Sequence, residues 1–364
     1  MSDEDKESEI HRRLMVLFKN RGDMADAYVA KFGPEINMKN IQAIRAQFSG
    51  AAGETVSTPA ASEDLVPDDP LNPMNVIMKF NEKALTVPEE DSKKESPLFP
   101  RTMDCPVCKK WGINSQELRA KSLTIVNDPF LAPVYKTTGK WREINYLLSC
   151  MNVCSTCLTA SPDPKDFVIY NATTRQTQYS QMSPAVIKNL DDTKTLRKAF
   201  FEKTGVGEAL FKIPRSYAAA IVSYQLADAR AEIEADAKVL GAYYKRGNYW
   251  TRIALLCRQA GMDDQRPLEI AAEHFKTAFT NSDFPKADLE YQSIFILFSI
   301  FLHFGKQKEA MDYMNVLGKT VQDLTKLNDP RNESLLYAKK WMEMIRNRWD
   351  DRDYPEIWKT PGIG

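Results

Sequence analysis

The feature that most constrains this chain is a set of two Cys-x2-Cys pairs, Cys105-Pro106-Val107-Cys108 and Cys154-Ser155-Thr156-Cys157. A Cys-x2-Cys turn directs two thiolates at one point, and two such turns complete a tetrahedron around zinc, with Zn–S distances of about 2.3 Å. The spacer between the pairs exceeds the usual length of about 15 to 20 residues, but it has room for the hairpin and loop of a zinc ribbon. We therefore predict a structural zinc site whose ligands are Cys105, Cys108, Cys154 and Cys157.

The remaining cysteines, Cys150 and Cys257, leave an alternative open. Cys150 lies four residues before Cys154, and a ligand set that uses Cys150 in place of Cys154 or Cys157 is a second interpretation. Cys257 occupies an apolar helical position and is expected to be a core thiol. Buried reduced thiols are another alternative, as is a redox pair, although a thioredoxin-like site needs one Cys-x2-Cys at the start of a helix in a βαβ unit.

The sequence gives no sign of catalysis. A catalytic zinc keeps an open position and usually has His or carboxylate ligands, whereas four thiolates close the coordination sphere. The histidines His11, His274 and His303 are all remote from the cysteine pairs. No Gly-rich phosphate loop, His-Glu-x2-His or Gly-x-Ser-x-Gly motif occurs. We expect a protein that is not an enzyme.

The composition of the chain limits the cellular locations and the classes of binding partner that we expect. The chain has no run of 18 apolar residues, and its N-terminus is charged, so neither membrane insertion nor a signal peptide is expected and the predicted location is the cytoplasm. The 49 Lys+Arg balance 49 Asp+Glu, which disfavours a protein whose main role is to wrap nucleic acid. The sequence does not indicate an oligomeric state.

Changes in periodicity divide the chain into segments. Strand-like runs at 121–126, 143–148 and 166–171 surround the cysteines, and helical periodicity extends from Ser183 to about Trp349. The predicted fold is α+β and mostly α, a small β-rich zinc-ribbon-like domain before a helical repeat domain, with tethered N-terminal helices. The predicted segments are short N-terminal helices (1–48), a linker with a short helix (49–100), the four-cysteine zinc-binding β domain (101–180), the helical repeat domain (183–350) and a C-terminal tail (351–364).

Two stretches of the helical half share one spacing. Trp250-x2-Ile253-Ala254-x2-Cys257-x3-Gly261 has the same offsets as Ile294-x2-Leu297-Phe298-x2-Phe301-x3-Gly305. In each copy a second helix follows the glycine. Its apolar or small residues lie four and seven positions after an alanine: Ala271, Phe275 and Ala278 in the first copy, and Ala310, Met314 and Leu317 in the second. This pattern is typical of tetratricopeptide repeats, in which small residues let two helices cross closely and the glycine ends the first helix. Any packed helical hairpin is the alternative interpretation of this spacing.

Further breaks in the helices are predicted at Gly205, Gly207, Gly247, Pro285 and Asn328-Asp329-Pro330.

The cysteine-bearing segment is mildly basic. Residues 101–150 carry eight Lys/Arg against four acids, with aromatic residues interleaved. Stacking combined with phosphate contact would suit a nucleic acid. A solvated basic face around a dianionic zinc–thiolate core explains the same excess and is favoured. The basic positions are Arg101, Lys109, Lys110, Arg119, Lys121, Lys136, Lys140 and Arg142.

Together, the Cys-Pro-x-Cys turn, the second Cys-x2-Cys pair and the helical tail resemble the bacterial domain-of-unknown-function family numbered 2225. The resemblance covers about residues 100 to 320 and implies a paired-cysteine metal-binding-like domain joined to tetratricopeptide-like helices. This chain has Leu158-Thr159 where the family typically has Gly-Tyr after the second pair, and Cys150 is additional. The family implies no established activity.

The leading hypothesis is a cytosolic, non-enzymatic scaffold. A repeat array offers a concave groove to a protein or peptide partner, while zinc fixes the β-rich segment. Nucleic-acid binding through the basic segment is the alternative, and thiol redox sensing is a weaker one.

Overall fold

The computed structural model describes residues 22–32, 69–89, 93–171, 174–327 and 333–361. The chain divides into two units between Leu65 and Val66. In the first unit the structure describes one helix, α1 (Gly22–Phe32), which ends directly before Gly33-Pro34, as the sequence predicts. The other predicted N-terminal helices, the Asn328-Asp329-Pro330 break and His11 lie outside the described residues.

The second unit begins with residues 69–89, called the strap below. The strap contains a short 3-10 turn at Pro73–Asn75 and one helical turn, α2 (Glu82–Leu85), separated by extended chain. The sequence predicts a linker here, but Ala84 is fully buried and the strap packs on the helices that follow. The short helix predicted within the 49–100 linker is present as α2, and residues 69–89 pack against the helical core because alternate apolar side chains anchor them.

Four two-stranded antiparallel sheets follow in the described chain. The strands are β1 (Leu98–Met103) with β2 (Ile113–Leu118), β3 (Leu123–Asn127) with β4 (Pro133–Thr137), β5 (Asn152–Val153) with β6 (Ala160–Ser161), and β7 (Ile169–Asn171) with β8 (Gln176–Gln178). The predicted strand at 143–148 is wrong: the side chain of Asn145 accepts a hydrogen bond from the N–H of Leu147, and a 3-10 turn forms at Tyr146–Leu148.

Eight helices complete the described chain. They are α3 (Pro184–Asp192), α4 (Lys194–Thr204), α5 (Tyr217–Asp236), α6 (Ala242–Gln259), α7 (Gln265–Thr280), α8 (Ala287–His303), α9 (Gln307–Lys326) and α10 (Glu333–Asp350). The predicted class, a small β-rich region with clustered cysteines followed by a larger helical region, is confirmed. Within the described ranges, none of the helices combines the length and the apolarity needed to cross a membrane.

Helix α5 is buried on nearly every side. It contacts α6, α3, the strap and β6. Its Asp228 is fully buried and accepts hydrogen bonds from Arg246 Nε at 2.8 Å and from Trp250 Nε1 at 2.9 Å. Such a charge is tolerated in a core only when it is paired and hydrogen-bonded. Polar residues at the centre of the helical region therefore belong to its core.

The two predicted repeat copies fold as helical hairpins, α6–α7 and α8–α9. Each first helix ends at a glycine with positive φ, Gly261 at 67° and Gly305 at 70°, a conformation that glycine adopts without a Cβ penalty. The predicted break at Gly247 is wrong, since Gly247 lies inside α6. An added Cβ there would lie 2.8 Å from the ring of Phe275 on α7, so the glycine permits a close helix crossing. The tetratricopeptide-like character of the hairpins stays a prediction.

One large core joins the helices to part of the β-rich segment. Phe130, Leu147 and Met151 from the β-rich segment are buried in the same cluster as Trp250 and Phe298. A second, smaller cluster surrounds the cysteines and includes residues of α3. The predicted boundary between domains at residues 180–183 is thus crossed by shared apolar packing.

Candidate metal centre

The two Cys-x2-Cys pairs form turns with the same hydrogen bonds. The first turn connects β1 to β2, and the second connects β5 to β6. The N–H of Cys105 donates to the Lys110 carbonyl at 2.8 Å, and the N–H of Cys154 donates to the Thr159 carbonyl at 2.9 Å. A return bond reaches each first cysteine from the residue that follows the pair. Two short hairpins of different sequence therefore present their thiols in the same way.

The residue after each pair adopts a left-handed conformation. Lys109 has φ 61° and Leu158 has φ 60°, a region in which glycine carries no steric penalty and other residues do. Local contacts hold both side chains: Leu158 is 2% exposed, and Lys109 Nζ donates to the Pro106 carbonyl at 2.7 Å. The lack of glycine after each pair is therefore compatible with the turn.

The four predicted sulfurs come together. All lie within 4.8 Å of one another, with Sγ–Sγ distances of 3.5 Å for Cys105 and Cys157 and 3.4 Å for Cys108 and Cys154. These separations are far longer than a disulfide bond of about 2.05 Å, so the sulfurs are free thiols. Zn–S bonds of about 2.3 Å at tetrahedral angles place sulfurs about 3.8 Å apart. The cluster has the size of a four-thiolate metal site.

The thiols are buried and interact with one another. Cys154 and Cys157 are fully buried, Cys105 is 1% exposed, and Cys108 is half-buried. Hydrogen bonds with Cys105 and Cys154 lower the pKa of Cys157, whereas the hydrogen bond with Cys154 is the main cause that raises the pKa of Cys105. Four adjacent thiolates repel one another, so all four ionise together only around a cation.

A buried arginine lies beside the cluster. Arg197 on α4 is 1% exposed and donates from Nε to the Cys157 carbonyl at 3.1 Å, from Nη1 to Thr193 Oγ1 at 2.8 Å, and from Nη2 to the Leu190 carbonyl. No carboxylate pairs with it among the described residues. Burial lowers the pKa of Arg197, while the negative charge of the nearby cysteines opposes that shift. A metal ion bound by four thiolates would give a dianionic centre that could balance this charge.

Thr159 completes the surroundings of the cluster, with its Oγ1 3.1 Å from the Cys157 sulfur. Neither Thr159 nor Arg197 is predicted from the sequence as part of the site. No spacing rule connects Arg197 to cysteines 40 positions away, and only Thr159, two residues after Cys157, had a local signal.

The structure does not bring Cys150 into the cluster. Its sulfur lies 3.0 Å from the hydroxyl of Tyr224 on α5 and 3.8 Å from the Leu147 carbonyl. Burial raises its pKa, so the group is a neutral thiol at neutral pH. The alternative ligand set with Cys150 would require this contact to break.

The other cysteine and histidines stand apart from the site. Cys257 is fully buried in the helical core, as predicted. His274 is also buried, 3.9 Å from Asp228, and burial lowers its pKa to about 4, so it is neutral. His303 packs against Phe130 and Trp358 with ring centroids 5.3 and 4.9 Å away. Within the described chain, the four cysteines are the group of His, Cys, Asp and Glu arranged for a metal.

The basic segment is partly neutralised within the protein. Arg101 pairs with Glu117, and Lys140 pairs with Glu95 at 2.7 Å. Two of the interleaved aromatics, Tyr135 and Tyr146, pack edge to face on each other at 5.2 Å. Trp111, by contrast, is 77% exposed. Of the eight basic side chains, Arg101 and Lys140 are therefore paired with acids of the protein, which lowers the positive charge that a nucleic acid would meet.

Comparison with known proteins places these features in one family. Searches of curated proteins and of solved structures found no significant match. One family model matches residues 98–352, from β1 to just beyond α10, and thus contains both cysteine turns and all four helices of the two hairpins. The chain belongs to the DUF2225 family, described as uncharacterized proteins conserved in bacteria.

Proposed function

We propose that this protein is a cytoplasmic, non-enzymatic scaffold in which a structural zinc ion fixes the cysteine turns and the helical hairpins bind an extended segment of a partner protein. The hairpins would act as a short tetratricopeptide-like array. The observation that supports the binding role best is the way the helices already hold the strap.

Zinc is the metal that suits the donor set. Four thiolates in a buried tetrahedral arrangement are typical of structural zinc, and they leave no position open for a water or a substrate. Cys105, Cys108, Cys154 and Cys157 would be the ligands, with Arg197 as counter-charge. Zinc supplies folding free energy at such sites without chemical turnover, in agreement with a non-enzymatic role.

The helices recognise the main chain of the strap. Gln225 Nε2 on α5 donates to the Val76 carbonyl at 2.7 Å, Arg246 Nη2 on α6 donates to the Leu71 carbonyl at 3.2 Å, and Arg266 Nη2 on α7 donates to the Pro70 carbonyl at 3.0 Å. Side chains from three successive helices thus bind carbonyls of one extended segment. This chemistry does not depend on the sequence of the bound segment.

Apolar contacts accompany these hydrogen bonds. Leu71, Met74, Val76, Met78 and Phe80 pack half-buried on the helical core. Main-chain hydrogen bonds combined with pockets for alternate side chains are the usual basis of extended-peptide recognition. A partner segment alongside the strap would meet Arg266 together with the apolar side chains of the strap and of the α6–α7 turn.

A groove beside the strap has room for such a segment. Its volume is about 400 Å³, and it lies between strap residues Val76 to Lys79 and the turn that joins α6 to α7. Ile77 lines this groove and is 44% exposed. We place the partner segment here, alongside the strap.

The test is site-specific photo-crosslinking. A photoreactive residue at position 77 should capture one partner in cells, whereas the same residue at Val316, an apolar position on α9 with 39% exposure, should not. Binding of the purified partner should then be lost in Ile77→Glu and kept in Val316→Glu. Equal binding by both variants would contradict the proposed groove.

The alternatives have separate readouts. Nucleic-acid binding predicts an affinity that falls steeply with salt and disappears when Lys109, Lys110, Lys140 and Arg142 are reversed in charge. Redox sensing predicts that the four clustered thiols react with an oxidant while zinc is bound, since a zinc site protects its ligands until a chelator removes the metal.

A further inference from the structure

Arg215 is a buried cation that holds the loop before α5. It is 2% exposed, its N–H donates to the Leu148 carbonyl at 3.1 Å, and its Nε donates to the Leu210 carbonyl at 2.7 Å. Its Nη1 is buried without a hydrogen-bond partner among the described residues. A buried charged group that lacks a hydrogen-bond partner costs free energy. We therefore expect a bound acceptor for this nitrogen.

Within the described ranges, no anionic side chain compensates Arg215. It forms no ion pair with any carboxylate in the described ranges, and the ionisable groups that act on it are Cys150 and Tyr224. Burial raises the pKa of both groups, so they are neutral at neutral pH. Burial also lowers the pKa of Arg215, but only to about 10, so the guanidinium keeps its charge.

The other arginines of the core show what is missing. Arg230 is 1% exposed and pairs with Asp166 and Glu234, both at 2.7 Å. Arg246 pairs with Asp228 at 2.8 Å. Arg197 lies beside the four cysteines. Unlike Arg230 and Arg246, Arg215 has no carboxylate partner among the described residues, and its hydrogen bonds go to Leu148 and Leu210 rather than to the cysteine turns.

A small cavity opens beside Arg215. Its volume is about 80 Å³, and its polar lining comes from Arg215, Lys110, Asn114 and Ser155, while Trp111 and Phe211 provide apolar walls. Lys110 follows the first cysteine turn and Ser155 lies within the second, so the two turns and the Arg215 loop frame the cavity. No carboxylate lines it.

We propose that this cavity binds a phosphate group. Arg215 and Lys110 supply two positive charges, which match a phosphate dianion, and the Ser155 hydroxyl and the Asn114 amide supply further hydrogen bonds. A guanidinium paired with an ammonium is a common way to bind phosphate. The cavity has room for one phosphate group but not for a nucleoside.

Two kinds of ligand could provide the phosphate group that binds at this site. One is the free inorganic ion. The other is the phosphate of a nucleoside monophosphate, whose base would leave the cavity and stack on Trp111, 77% exposed at the rim. Stacking on an exposed indole adds affinity for any base. The shared chemistry is the phosphate dianion held by Arg215 and Lys110.

The test is calorimetric titration of the zinc-loaded full chain with inorganic phosphate and, separately, with adenosine monophosphate at pH 7. We expect one site per chain for both ligands. Lys110→Ala should weaken both at least about tenfold, the loss of one hydrogen bond to a charged group. Lys212→Ala is the matched control, because Lys212 is an exposed neighbour of Arg215 that does not line the cavity, and it should leave both affinities within about twofold.

Two further variants complete the test. Arg215→Met removes the charge and should abolish binding, with the melting temperature measured in parallel to show that the chain is folded. If that variant does not fold, Lys110→Ala at its exposed position decides the matter. If a nucleotide is the natural ligand, Trp111→Ala should weaken the binding of adenosine monophosphate and leave the binding of inorganic phosphate unchanged. If the free ion is the natural ligand, Trp111→Ala should leave the binding of both unchanged.

The proposal would be overturned by either of two results. One is no binding of phosphate or nucleotide by the zinc-loaded protein at millimolar concentrations. The other is an equal loss of affinity in Lys110→Ala and Lys212→Ala, which would show general attraction to surface charge. Failure of this site would leave the scaffold proposal untouched, since the groove beside Ile77 is lined by other residues.

Discussion

The cysteine core and the helical core of this protein are built in different ways. The described part of the cysteine core has eleven buried residues, of which three are cysteines, whereas the helical core has 48 buried residues, mostly Ala, Leu, Ile and aromatics. Apolar burial stabilises a fold by about 25 cal/mol per Å². A core of eleven residues buries little apolar area to order two turns that carry four thiols, and a bound metal would supply the difference.

The two cores also treat charge differently. In the helical core, Asp228 and Arg246 compensate each other within the protein. Beside the cysteines, Arg197 has no carboxylate partner in the described ranges, and a metal–thiolate centre would supply its counter-charge. The helical core is thus compensated by its own side chains, whereas the cysteine core has the geometry of a site that a metal ion would complete.

The largest predicted effect follows from metal removal. A strong chelator should abolish hydrogen-exchange protection in β1, β2 and the cysteine turns, because zinc contributes on the order of 10 kcal/mol at such sites. Protection in α8, α9 and α10 should persist, since apolar packing stabilises those helices. Exchange measured by mass spectrometry checks both regions in one experiment.

The control for this experiment is the same chelator saturated with zinc, which should change nothing. Loss of protection at one common rate throughout residues 93–350 would show that both cores fold as a single unit. That result would contradict the conclusion that the cysteine core and the helical core are stabilised in different ways.

The next effect concerns packing in the helical core. Gly247→Ala should lower the free energy of unfolding by about 3 kcal/mol, because its Cβ would lie 2.8 Å from the fully buried Phe275 ring. Gly318→Ala on α9 is the matched control: the nearest atom is Met342 Cε at 3.8 Å, so alanine should stabilise the helix by about 0.5 to 1 kcal/mol. Urea denaturation of both variants shows whether each substitution lowers or raises the free energy of unfolding.

Equal effects at the two glycines would mean that the α6–α7 crossing tolerates a wider spacing than the structure has. The zinc content of Gly247→Ala should remain that of the wild type, because its contacts belong to the helical core.

A pH-dependent effect of about 2 kcal/mol is expected from Glu232 on α5. Burial raises the pKa of Glu232 to about 7, although the positive charge of Arg246, 3.2 Å away, opposes the shift. A carboxyl whose folded pKa is raised adds stability below its unfolded pKa, near 4.5, and loses it as the pH rises through 7. Glu232→Gln should therefore match the wild type at pH 5 and exceed its stability by about 2 kcal/mol at pH 8.

Glu273→Gln serves as the control for this measurement, because Glu273 is a surface residue of α7 paired with Lys276. Its difference from the wild type should stay within about 0.5 kcal/mol at both pH values. A flat difference for Glu232→Gln as well would show that the carboxyl is ionised throughout.

The smallest effect tests the counter-charge of the cysteine core. Arg197→Gln should weaken zinc binding by at least about tenfold, since residues beside metal ligands typically contribute that much. Lys198→Gln removes the same charge from an exposed neighbouring position of α4 and should leave zinc affinity unchanged. Competition with a chromogenic chelator measures both. Unchanged affinity in Arg197→Gln would mean that the guanidinium serves only its carbonyl partners.

Sequence patterns predict the features of this protein that are local. The pairs Cys105–Cys108 and Cys154–Cys157 are each complete within four residues, and Gly261 and Gly305 end helices through their own backbone conformation. Both were therefore predictable. The assignment of Gly247 as a break failed because its role depends on Phe275, on another helix.

The parts that sequence reasoning missed depend on partners distant in the chain. The strap has the composition of a linker, yet Gln225 and Arg246, about 150 or more positions away, bind its carbonyls. Arg197 and Arg215 look like solvated charges in a linear pattern, because burial without a carboxylate is visible only in three dimensions.

Zinc content measured on purified variants tests the central claim most directly. Elemental analysis of the wild type, Cys105→Ser, Cys157→Ser and Cys150→Ser separates the clustered sulfurs from the thiol beside Tyr224. We predict one zinc per chain in the wild type and in Cys150→Ser, and none in Cys105→Ser or Cys157→Ser. Zinc retained in Cys157→Ser, or lost in Cys150→Ser, would contradict the four-cysteine centre.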